Sequence, residues 1–274
     1  LIGINKEANL FTTDTVKDLE KQLKHIRHKL FGARSKKTKL DYRQKDEELR
    51  LAIAEELKNQ GLPVGSAEKL AKWDPYDQNS SSSFFDSEWM FDIADGFNVV
   101  IGNPPYVFTR DVEFDGNFKK YIEDEYFSKM TRGKKSKSNQ SGKINLFAVF
   151  IVKGLFVSSK NGYLTYIIPN NILRTTTYDI VRRYILENAH VEQIVDLGSG
   201  VFDNVTASTV VLGLSNKTTT LNTKVITEIK NLEKREFETK VFDQSQFLKN
   251  TSYSFNIFMD DISEVVSSKI LKDN

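Results

Sequence analysis

Asn103-Pro104-Pro105-Tyr106 directly follows the apolar run Phe97 to Gly102, so a buried strand would carry an amide, two prolines and an aromatic ring at its C-terminal tip. Those residue types in that order suit chemistry on a planar NH2 group. Such a nitrogen is a poor nucleophile because its lone pair is delocalised, and two acceptors aimed at its N–H groups draw it toward tetrahedral geometry. The Asn103 side-chain oxygen and the Pro104 carbonyl are the candidate acceptors, placed to stabilise the positive charge that develops as nitrogen attacks a methyl sulfonium. Pro104 and Pro105 fix two φ angles and bias the residue before each toward extended geometry, so the carbonyls are set before substrate arrives. Tyr106 offers a flat face on which a base lifted from a duplex can stack.

Further blocks stand around the tetrad in a fixed order. Asp74 to Asn79, Phe84-Phe85-Asp86 and Trp89-Met90-Phe91 precede it; Gly142 to Phe147 with Phe150, Ile167 to Asn171, Val201 to Thr206, and Ser208 to Leu212 follow. Over residues 73 to 215 this order resembles the adenine-N6 DNA methyltransferases of the gamma class, the TaqI type, and especially the type IIG restriction-modification enzymes. The resemblance implies an α/β fold, a partial Rossmann-like methyltransferase sheet made of the fourth to seventh strands with the last antiparallel. It implies S-adenosyl-L-methionine as methyl donor, double-stranded DNA as partner, base flipping, and a bacterial restriction-modification system. It assigns Asn103, Pro104, Pro105 and Tyr106 to catalysis, Phe202 to the face of the flipped adenine opposite Tyr106, and Phe150 with Asn103 to the cofactor pocket. An isolated Phe202 or Phe150 also suits a core position. An RNA base or a protein glutamine offers the same planar NH2 group. A non-catalytic DNA-binding or assembly module is the alternative of a different class.

The family's glycine-rich cofactor turn belongs before the tetrad, and none stands upstream of Asn103. The stretch Leu1-Ile2-Gly3 resembles the segment after the family's third strand, so the chain is expected to be a fragment lacking the donor-binding half, and inactive alone. Val195-Asp196-Leu197-Gly198-Ser199-Gly200 has the look of a cofactor turn, but a genuine one must open a helix. Too few residues separate Gly200 from the strand-like Ser208 to Leu214, so a strand-to-strand connection is expected, a permuted methyltransferase being the surviving alternative. In the family sheet the tetrad strand lies beside the absent first strand. An open apolar edge is therefore expected, hidden by self-association or by the N-terminal segment.

With 274 residues and 39% hydrophobic composition, the chain is long enough for a sizeable core. No apolar run reaches the roughly 18 residues needed to span a bilayer, and the chain has no cysteine. No membrane contact, disulfide or thiolate metal site is expected, and a cytoplasmic location fits. A net charge of +2 leaves any DNA footprint to local clusters. Residues 131 to 143 form one, and Arg132, Lys134, Lys135, Lys137 and Lys143 are expected to contact phosphates, or else to decorate a solvated loop. Glu238-Thr239-Lys240 is half of a nuclease pattern without its Pro-Asp partner.

Three regions are expected. Residues 1–72 read as a helical hairpin, with Leu19, Leu23, Ile26 and Leu30 on one stripe, a start at Thr13-Asp14, a basic break from Arg34 to Lys39, and a second helix from Asp41 to Lys58. Its charges read as solvated faces, and His25 and His28 lack further ligands for a metal. Residues 73–218 read as the catalytic half, with strands at 97–102, 163–168, 191–197 and 208–214 and helices at 143–158 and 172–188. Residues 219–274 read as a link toward a target-recognition domain, with two strands within 223–242.

Overall fold

The computed structural model describes residues 13–77, 79, 82, 85–108, 116–131, 145–202, 207–217, 222–231 and 233–258. They fall into two compact units divided between Ala94 and Asp95.

The first unit is helical: α1 (Asp14–Gly32), α2 (Lys36–Asn59), α3 (Val64–Lys72) and the short α4 (Ser87–Phe91). Thr13 caps α1 by accepting from the Val16 amide, and Ser35 caps α2 by accepting from the Thr38 amide at 3.0 Å. The second cap restarts the helix inside the expected Arg34–Lys39 break. The hairpin is antiparallel, because Gln60 Nε2 reaches Thr13 Oγ1 at 2.8 Å while Arg27 Nε reaches Asp46 at 2.8 Å. Val16, Leu23, Ile53, Leu57, Leu70 and Met90 share its core.

The expected solvated faces need correction at two charges. Asp46 is fully buried and Arg50 nearly so. Asp46 accepts from Arg27 Nε and Arg50 Nε, each at 2.8 Å, and from the Tyr76 hydroxyl at 3.0 Å. Arg50 also donates to the carbonyls of Ala71 and Trp73. Burying these charges is tolerable because each is paired and hydrogen-bonded, and the network ties α1, α2 and the segment after α3 together.

The second unit carries β1 (Phe97–Gly102), α5 (Gly116–Ile122), α6 (Ser128–Met130), α7 (Leu146–Val157), β2 (Ser158–Pro169), α8 (Asp179–Asn188), β3 (His190–Gly198), β4 (Thr209–Ser215), β5 (Asn222–Asn231), β6 (Glu236–Asp243) and α9 (Gln244–Lys249). The strands form one sheet in the order β1-β2-β4-β3-β5-β6. β1 and β2 are parallel, β4 runs antiparallel to both β2 and β3, and β5 lies parallel to β3. This is a mixed α/β sheet of the Rossmann-like kind, with its antiparallel strand inserted between β2 and β3. The two strands expected within 223–242 join the same sheet, β6 closing it antiparallel to β5.

Helix α7 is apolar on nearly every side, and Phe147, Ile151, Val152 and Leu155 are buried. Each such side chain contributes roughly 1.5–3 kcal/mol of burial. Gly154 lets this helix approach the sheet, since a Cβ there would stand 2.5 Å from Leu164 Cδ1 and 2.7 Å from the Tyr166 hydroxyl oxygen. The helix expected at 172–188 is α only from Asp179. Before it, the chain makes two tight turns whose Ile172 and Thr175 carbonyls are taken by the buried Arg182 guanidinium at 2.8 and 3.0 Å. Burial lowers the Arg182 pKa to about 10.

Candidate active site

β1 ends at Gly102, so Asn103 begins where the strand's hydrogen bonds stop. β1, β2 and β3 all point their carboxyl ends to the same side, because β1 and β2 are parallel and both β2 and β3 run antiparallel to β4. That geometry gathers the tetrad after β1, Asn170 after β2 and Phe202 after β3 at one end of the sheet. Ligands of open α/β sheets bind at such carboxyl ends. The Asn170 amide donates to the Ser208 carbonyl at 2.9 Å, tying the loop after β2 to the entry of β4.

Within the tetrad Pro104 is buried, while Asn103 and Pro105 are exposed and Tyr106 is half-buried. The buried proline anchors the turn, and the amide side chain before it is left at the surface. Among the described residues Asn103 makes no side-chain hydrogen bond and the Pro104 carbonyl accepts none. The backbone is held further on: the Leu146 amide donates to the Val107 carbonyl at 2.8 Å, and Phe108 bridges Asn145. Asn145 in turn caps α7 by accepting from the Phe147 amide at 3.4 Å.

Tyr106 donates its hydroxyl proton to the Ile167 carbonyl at 3.0 Å. Burial pushes that hydroxyl above its ordinary pKa, so it stays a protonated donor. Its ring meets Phe202 with centroids 6.4 Å apart and planes at 71°. The two aromatic residues singled out in the sequence are thus brought together across 96 positions of chain. At this spacing the two rings are in edge contact.

Phe150 lies on α7, one turn after its cap, with 42% of its surface exposed while its neighbours Phe147, Val149 and Ile151 are buried. It faces away from the core, against the core-plug alternative. The basic residues Arg132, Lys134, Lys135, Lys137 and Lys143 lie outside the described residues. The Asp196–Gly200 segment joins two antiparallel neighbours, with Gly198 and Gly200 at φ of 68° and 81° and the Asp196 carboxylate accepting from the Gly198 amide at 3.0 Å. It opens no helix among the described residues, and it leads from β3 to β4 as a strand-to-strand connection.

Two contributors are invisible in the sequence. The Ile167 carbonyl that fixes Tyr106 belongs to a neighbouring strand. Tyr166 fills the space beside Gly102, where a Cβ would stand 3.1 Å from its ring. Only the pairing of β1 with β2 brings either to the tetrad.

A family model described as Eco57I restriction-modification methylase matches residues 10–202. The type II restriction enzyme and methyltransferase RM.Eco57I of Escherichia coli is 28% identical over 128 residues, 44% of this chain and 11% of its own length. The type II methyltransferase M.AccI of Acinetobacter calcoaceticus is 28% identical over 142 residues, 50% of this chain and 24% of its own. The chain therefore spans no more than about a quarter of the length of these curated relatives. Among solved structures, the type IIG restriction endonuclease BpuSI aligns with 65% of this chain and 22% of its own, at 17% identity and a TM-score of 0.46. The methyltransferase subunit of a type I restriction-modification system from Streptococcus thermophilus aligns with 75% and 45%, at 16% identity and a TM-score of 0.44. With the family model matching well over half of its residues, the chain belongs to the Eco57I restriction-modification methylase family.

Proposed function

We propose that this chain carries the substrate side of an adenine-N6 DNA methyltransferase site within a restriction-modification system. The observation that carries the reading is the Tyr106–Phe202 pair, 6.4 Å between ring centroids, standing at the sheet end where Asn103 emerges exposed. A flipped adenine enters between the rings, and its amino group meets the Asn103 side-chain oxygen and the Pro104 carbonyl. Those acceptors orient the two N–H bonds and stabilise charge on the nitrogen as it is alkylated. The edge of Tyr106 is held by Ile167, so the slot is preorganised on one wall. Arg132, Lys134, Lys135, Lys137 and Lys143 follow the tetrad in sequence and hold the phosphates of the duplex, which positions the DNA without reading its bases.

S-adenosyl-L-methionine supplies the electrophilic methyl group when bound. The exposed Phe150 ring and Asn103 suit its edge chemically, one apolar and one polar. The remaining elements of a donor pocket, a glycine-rich turn opening a helix above all, are not found among the described residues. This chain's own part is to bind, orient and activate the amino group.

The reading is tested by Asn103→Ala in the full-length protein. Methyl transfer to DNA should fall below detection while DNA binding stays within about threefold of wild type, as expected for an interaction made chiefly in the transition state. Near-normal turnover by the variant would sink the assignment.

A further inference from the structure

The helical unit contains a cavity of about 600 Å³, in the size range of small-ligand pockets. Its walls come from α1, α2 and the segments around Tyr76 and Phe91. Four of its lining side chains, Lys24, Arg27, Lys39 and Arg43, are cationic, against the single carboxylate of Asp92. Asp92 is spent on Lys24 at 2.7 Å. Arg27 uses Nε on Asp46 and Nη1 on the Trp89 carbonyl, and its guanidinium lies over the Trp73 and Trp89 rings, so it is engaged within the fold and leaves the exposed Lys39 and Arg43 as the cavity's cations. Guanidinium is the side chain best matched to phosphate, and that of Arg43 is exposed at the cavity wall.

The same cavity is walled by aromatic rings. Phe31 is 93% exposed and Phe91 is 51% exposed, and both line it. Arg43 lies over the Tyr76 ring at 5.1 Å. Exposed rings interleaved with cations around a concave site are the recognition set for a planar base joined to a phosphate. We propose that this cavity binds a nucleotide, with the phosphate on Lys39 and Arg43 and the base against Phe31 and Phe91. The ligand is either a free nucleotide or one nucleotide of a single strand, since both present the same chemistry.

Binding is measured with the full-length protein and two fluorescent probes, a labelled ATP and a short labelled single-stranded oligodeoxynucleotide. The double variant Phe31→Ala/Lys39→Ala, both exposed positions, and separately Arg43→Gln are compared with wild type after thermal melts show all three folded. At least tenfold weaker binding of the ATP probe identifies a free nucleotide, and the same loss confined to the oligonucleotide identifies a strand. Unchanged affinity for both probes in both variants, or displacement by inorganic pyrophosphate as effective as by unlabelled nucleotide, would overturn the proposal. Because the readout is binding rather than methyl transfer, its failure leaves the Asn103 reading untouched.

Discussion

The Tyr106 hydroxyl is bound to the Ile167 carbonyl at 3.0 Å while its ring meets Phe202 with centroids 6.4 Å apart, so one side chain is fastened to the sheet and, in the proposed function, also stacks on the substrate base. The two functions separate by substitution. Tyr106→Phe keeps the ring and loses the hydrogen bond, at about 0.5–1.5 kcal/mol, so kcat/KM for DNA methylation should fall roughly two- to tenfold. Tyr106→Ala removes a stacking platform of ~1–3 kcal/mol per base and should cost roughly five- to 150-fold. Steady-state kinetics on a duplex containing the recognised site rank the two variants, and equal losses would show that the ring face does not carry substrate.

Gly96, immediately before β1, has a φ of +86°, and a Cβ there would stand 2.8 Å from the Val157 carbonyl oxygen and the Ser158 carbonyl carbon. Backbone atoms cannot yield as a side-chain end would. Gly96→Ala should cost about 1–3 kcal/mol from the left-handed conformation alone. Chemical denaturation of the variant measures it, and a loss below half a kcal/mol, on the order of a surface substitution, would contradict the packing described.

Burial works to raise the Glu192 pKa, yet Lys217 at 2.8 Å holds the carboxyl below its ordinary range. A carboxylate with a depressed folded-state pKa contributes stability that is complete above its unfolded value, about 4.3, and disappears as pH falls through the folded value. Thermal melts of wild type and Glu192→Gln should therefore differ near neutral pH and converge in acid below that window. A difference that persists or grows in acid would have the wrong sign.

β1 is one of the two edge strands of the sheet among the described residues, with Val99 at 64% and Ile101 at 78% exposed. An apolar strand with an open edge pairs readily. The 274-residue chain should self-associate in sedimentation experiments, and Val99→Lys with Ile101→Lys should shift it toward monomer. A wild-type chain that stays monodisperse and monomeric would show that the edge is protected in another way.

The strand that carries the tetrad was legible in the sequence because an apolar run bounded by glycines has few alternatives, and β1 occupies residues 97–102 as expected. β2 begins at Ser158 rather than near 163, since Asn161 takes a φ of 65° and the chain turns within the strand without leaving the sheet. The late start of α8 could not be read, because Arg182 takes the carbonyls of Ile172 and Thr175 from a helix ladder by a contact that no local pattern reveals. Aromatic partners were legible in the candidate site, whereas the backbone acceptor on Ile167 was not. The cationic cavity was hidden for a similar reason: its residues are spread from Lys24 to Asp92, and along one helix they resemble an ordinary solvated face.

The most direct test is the identity of the methylated product. Full-length protein is incubated with duplex DNA and S-adenosyl-L-methionine carrying a labelled methyl group, and the DNA is digested to nucleosides and resolved by mass spectrometry. Label is expected in N6-methyladenine and is lost when Asn103 is replaced by alanine. Label in a methylated cytosine, or in protein glutamine with none in DNA, would contradict it.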